Sequence, residues 1–134
     1  MSFYKTLVEV EKKLEIQGYL AKIPVSAALM KKANDFNVEH FKGTNSPEQK
    51  GKYIQINFQE ISKSDAILVI NNEKHGINGY IGPNVLMEIG LAFFLRKKIY
   101  IWNSIPNDAS YTEELLAFSV NIINQDLDKI SISK

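Results

Sequence analysis

Apolar residues recur along this chain with two different periods. Phe3, Leu7, Val10 and Leu14 fall at helical spacing, and Glu9 sits one turn before Lys13 on the same helix. Gly18 follows as a C-terminal cap. Leu20 to Val25 reads as a short strand closed by Pro24, Ala27 to Phe36 as a short helix, and Asn37 to Asn45 as a polar loop. Ser46-Pro47-Glu48-Gln49 has the form of a helix start, with Ser as cap, Pro in the first turn and Gln completing a capping box; Ile54, Phe58 and Ile61 carry that helix to about Lys63. The period then changes. Ala66 to Ile70 is an unbroken apolar run, expected of a parallel strand covered on both faces. A loop with glycines at 76, 79 and 82 leads to Pro83, which opens an apolar helix. Ile99 to Trp102 is the next strand, Ser110-Tyr111-Thr112-Glu113 a second capping box for a helix through Phe118, and Val120 to Ile123 a last strand.

Strands that alternate with helices predict an α/β fold: a three-layer, doubly wound parallel sheet of the flavodoxin-like or Rossmann-like kind, with four or five strands in a single domain spanning 1–134. Ligands bind such sheets beyond the carboxyl ends of the strands. The loop after Ile70, the start of the Pro83 helix, Asn103 and Ser104 all fall there. This fold ordinarily opens with a central strand, whereas this chain opens with a helix, so a first strand is expected to be missing.

One residue breaks the pattern. Glu88 is the only charge between Val85 and Leu95, a segment apolar all round and therefore expected to be buried on most faces. Its helical neighbours Asn84, Val85, Leu91 and Ala92 include no cation, so no local ion pair offsets the cost of burying it. Either another part of the fold satisfies this carboxylate, or it faces a cavity and performs chemistry.

Composition narrows the choices. Lys and Arg number 16 against 15 Asp and Glu, giving a formal charge of +1 without runs of one sign, so there is no electrostatic footprint for nucleic acid or an anionic membrane. The absence of cysteine excludes disulfides, thiolate catalysis and zinc-thiolate sites, and two distant histidines, His40 and His75, do not make a metal site. The longest apolar run, about eleven residues, is too short to span a bilayer, which takes about twenty. Charges at Glu9, Glu11, Lys12 and Lys13 stand where a signal peptide would be apolar. A cytoplasmic protein with neither cofactor nor metal is expected.

Three stretches carry a resemblance: Ser64 to Asn71; Gly79-Tyr80-Ile81-Gly82-Pro83-Asn84; and Met87-Glu88-Ile89-Gly90-Leu91-Ala92, followed by Lys97-Lys98-Ile99. They resemble the nucleoside 2-deoxyribosyltransferase superfamily. Asn103 to Pro106 and the ending Asn124 to Ile130 resemble its uncharacterised bacterial and archaeal branch, and family members often begin with a strand that would precede Met1 here. The resemblance implies that Glu88 is a nucleophile attacking the anomeric carbon of a deoxyribosyl group, much as in a retaining glycosidase. It implies a nucleoside or nucleotide ligand and a homodimer or higher oligomer. Asn57 and Gly82 stand where characterised members carry aspartates, so an amide and a glycine replace two carboxylates.

The remaining candidates keep two readings. Asn71 and Asn72 end a strand where ligands bind, yet Asn also favours turns. Asn84 lies one turn before Glu88 and suits either ligand contact or helix capping. Tyr80 is a nearby proton donor. The glycines form neither GxGxxG nor a Walker loop and read as tight-turn residues. His75 reads as an exposed loop residue, Tyr100 and Trp102 as core.

Overall fold

The computed structural model describes residues 3–37 and 46–132, so most of the expected polar loop, from 38 to 45, lies outside the described residues. The chain divides into two compact units, Met1–Glu60 and Ile61–Ser133.

The first unit is helical. Helix α1, Phe3–Ile16, buries Thr6 and Val10 and ends at Gly18, whose φ of +96° lets the backbone turn back so that the Tyr19 amide donates to the Leu14 carbonyl. Helix α2, Val25–Ala33, buries Ala27 and Met30, and Lys31 reaches Glu11 of α1 at 2.8 Å. The strand expected over Leu20 to Val25 does not form. Among the described residues no strand pairs with it, and Pro24, with ψ at 156°, serves instead as the residue that launches α2. Helix α3, Pro47–Lys63, starts where the sequence places it, with the Gln49 amide donating to Ser46 Oγ at 3.1 Å.

The second unit begins in the last turn of α3 and holds a parallel sheet. Strand β1, Ala66–Val69, pairs with β2, Lys98–Ile101, which pairs with β3, Asn121–Ile122. Helix α4, Pro83–Phe94, connects β1 to β2 and packs on both strands; helix α5, Thr112–Ala117, connects β2 to β3. A 3₁₀ turn, Leu127–Lys129, follows. Three strands are found among the described residues, against the four or five expected, in the order β1-β2-β3. The architecture is therefore mixed α/β with a parallel sheet. Its core gathers Val69, Ile81, Ile89, Ile99, Ile101 and Leu115, and Tyr100 and Trp102 are buried as expected.

Two local expectations are corrected. The Ser110 capping box does not form: Tyr111 is the cap residue, without a side-chain bond, and Thr112 Oγ1 instead donates to the Pro106 carbonyl and accepts from the Ala109 amide. The threonine hydroxyl is spent inside the preceding loop. Nor is α4 buried on most faces. Ile89 and Ala92 face the core, whereas Met87, Phe93 and Phe94 are exposed. Among the described residues no helix is long and apolar enough to cross a membrane.

Candidate functional site

The carboxyl ends of β1 and β2 are tied together by one side chain. Asn71 is fully buried. Its Oδ1 accepts the Asn103 amide at 2.7 Å, and its Nδ2 donates to the carbonyls of Asn103 at 3.0 Å, Ser104 at 3.2 Å and Gly79 at 3.4 Å. The Asn71 carbonyl in turn accepts from Asn103 Nδ2 at 3.2 Å, and Gln125 Nε2 donates to Asn103 Oδ1 at 2.8 Å. A carboxamide has both donors and an acceptor, which this position requires. Asn71 thus acts on backbone, as a clamp between the strand ends. Asn72 follows it, half-buried, with a partner of its own.

The same clamp holds the loop that enters α4. Gly79 has a φ of +74°, and a Cβ there would collide with the Ser104 carbonyl, so only glycine allows this close passage. Two residues on, the Ile81 amide donates to Tyr111 Oη at 3.2 Å, fixing the loop from the other side. Tyr80 lies between these anchors, half-buried, with the His75 ring edge-on at 5.5 Å and Lys74 Nζ 5.8 Å from its ring centre. His75, at a φ of +56°, is exposed as expected. Gly82 caps α4 with extended backbone, and a Cβ on it would meet the Tyr80 ring at 3.6 Å. Tyr80 and Gly82 are therefore neighbours at the mouth of α4.

Pro83 occupies the first turn of α4, where its missing amide costs nothing. Asn84 is exposed there, and Glu88 lies one turn further on, half-buried. Burial raises the Glu88 carboxyl from 4.5 to about 7, with no cation to counter it. No hydrogen bond or ion pair to Glu88 forms among the described residues. It is a carboxyl group held near neutrality, able to be ionised or protonated at physiological pH.

Asn57 belongs to the first unit. Its Oδ1 accepts the Val25 amide at 3.2 Å, supplying from α3 the N-terminal cap that α2 lacks on its own chain segment. It also borders an apolar cleft of about 290 Å3 with Val25, Leu29 and Ile56. Of the sequence-predicted residues, the second unit thus places Tyr80, Gly82, Asn84 and Glu88 along one loop and the first two turns of one helix, with Asn71 as their support. Asn103 lies at the strand ends where the sequence places it, but its bonds to Asn71 and the contact of Tyr111 with the Ile81 amide are not expected from the sequence. The one signal pointing to them is their position at strand and helix boundaries beside apolar runs. Compared with models of protein families, with curated proteins and with solved structures, the chain has no match.

Proposed function

We propose that Glu88 is the nucleophile of an N-glycosidic bond-cleaving site acting on a deoxynucleoside or deoxynucleotide. The observation that carries this reading is a half-buried carboxyl without a protein partner among the described residues, shifted by burial to about 7, on the helix that follows the carboxyl end of β1. Structural carboxylates of this depth are normally paired; unpaired ones shifted toward neutrality cluster at sites of chemistry. The resemblance of the Gly79 to Ala92 segment to the deoxyribosyltransferases supplies the reaction. The Glu88 carboxylate bonds to the anomeric carbon as the carbon–nitrogen bond breaks, and the base leaves with that electron pair and takes up a proton. The resulting glycosyl ester is opened by water, giving hydrolysis, or by a second base, giving transfer. Under this proposal Tyr80, a neighbour of Gly82, contacts the sugar or base. In this reading the sheet is the core of a doubly wound, three-layer fold in a cytoplasmic enzyme, and the exposed apolar residues Phe93, Phe94 and Leu116 serve self-association.

A second reading, a nucleotide-binding module without turnover, is favoured by one observation. Asn57 and Asn71 are committed to backbone, and Gly82 offers no carboxylate for leaving-group protonation. The test is incubation with each deoxynucleoside and its monophosphate, with chromatographic detection of free base. Release by the wild-type chain that disappears in Glu88→Gln supports the enzyme. Ligand-induced thermal stabilisation without release transfers the assignment to the binding module, and neither effect removes both.

A further inference from the structure

Along β2 and β3, between these strands and the segment after the 3₁₀ turn, lies an open cleft of about 570 Å3. Lys98, Tyr100, Asn121, Ile122, Lys129 and Ser131 line it, and its described lining contains no Asp or Glu. Lys98 and Tyr100 alternate onto one face of β2, and the segment after the 3₁₀ turn folds back over that face. Two bonds hold it there: Lys98 Nζ donates to the Ser131 carbonyl at 2.5 Å, and the Ser131 amide donates to Tyr100 Oη at 3.1 Å.

This arrangement leaves donors over. Tyr100 is only 4% exposed, yet its hydroxyl acts as an acceptor and its own proton meets no acceptor among the described residues. The Lys98 ammonium is bonded to a neutral carbonyl and uses one of its three protons. Lys129 has no partner among the described residues. Asn121 Nδ2 is taken by the Ile99 carbonyl. Two uncompensated ammonium groups and one largely buried hydroxyl proton thus converge on a cleft without acidic groups, while Ile122 and Val120 supply an apolar wall.

We propose that this cleft binds a dianionic phosphate group carried on a small molecule, with Lys98, Lys129 and the Tyr100 hydroxyl as its donors and the apolar wall receiving the molecule's body. Two positive charges match a phosphate dianion, and charge-assisted donors are the strong ones. The volume exceeds what phosphate alone fills and lies in the range of small-molecule sites. The site is independent of Glu88 and of the reading given to it.

The test is an amide-resolved NMR titration of the full chain with inorganic phosphate, with chloride at matched ionic strength and succinate as comparisons. Saturable shifts at Asn121, Ile122 and Ser131 are expected, unchanged in Glu88→Gln and weakened about tenfold in Lys129→Met. Lys129 is exposed and its replacement leaves the tether intact; Tyr100→Phe tests the buried donor separately. Shifts that chloride reproduces, that succinate matches in affinity, or that persist undiminished in Lys129→Met overturn the proposal.

Discussion

Replacing Glu88 by Gln isolates the cost of its charge. The folded chain holds the Glu88 proton to about pH 7, whereas the group's ordinary value is 4.5. Between those values the folded state binds more protons than the unfolded state, so stability falls as pH rises through this window. Below 4.5 both states are protonated and the penalty vanishes; above 7 it is complete, at about 3 kcal/mol. Between pH 5 and pH 8 the wild-type chain therefore loses about 2.5 kcal/mol through this one residue. Gln has a similar shape and no titration, so Glu88→Gln abolishes that slope. Any constant effect of the substitution cancels when the two proteins are compared at both pH values. Trp102, the single tryptophan, is buried in the same unit and reports unfolding by fluorescence. With urea slopes of about 1–3 kcal/mol/M, the wild-type midpoint should rise relative to the mutant by about 0.8–2.5 M on going from pH 8 to pH 5. Parallel pH dependences in the two proteins, or a carboxyl carbon titration placing Glu88 near 4.5, would refute the reasoning.

Other outcomes follow from the same geometry. If Glu88 acts as a nucleophile, the rate of base release rises with pH through about 7, as the carboxylate forms; a rate that falls there instead identifies Glu88 as a proton donor, and a pH–rate profile separates the two. Asn71→Ala strands the part-buried Asn103 amide and the buried Gly79 carbonyl and should cost about 2 kcal/mol, measured by urea denaturation, with loss of protection of the Asn103 amide. Gly79→Ala forces a Cβ against the Ser104 carbonyl at positive φ and should destabilise by about 2 kcal/mol or more. Gly51→Ala, in mid-α3 with open space around it, should stabilise by about 0.5–1 kcal/mol; the opposite signs are read from paired thermal melts.

Periodicity and local chemistry made much of the fold legible. The Ser46-Pro47 start acts through a bond across one helical turn, and the apolar runs at 66–70 and 99–102 are long enough to declare parallel strands. The segment Leu20 to Val25 has strand composition but no described partner strand, and pairing is a long-range property that composition does not contain. The Ser110 capping box fails for a related reason: the sequence shows several hydroxyls near the helix start, and the loop path decides what each one meets. At the site, Glu88 stood out because a lone charge in an apolar helix is visible in one dimension. Asn71 did not, since an asparagine at a strand end fits a turn, a ligand contact or a clamp equally well. Only the approach of Asn103, on the far side of the α4 crossover, selects the clamp.

That clamp bears on how the chain finds its fold. Strand β1 and the Ile99–Ile101 part of β2 are both apolar, so sliding one past the other by two residues would keep these side chains on their proper faces. Hydrophobic matching alone therefore tolerates the wrong alignment. A slid pair would carry Asn103 away and leave the Asn71 carboxamide buried without partners, which the core does not tolerate. Asn71 thus favours the observed register over its slid neighbours, through a partner that lies beyond α4 in the chain.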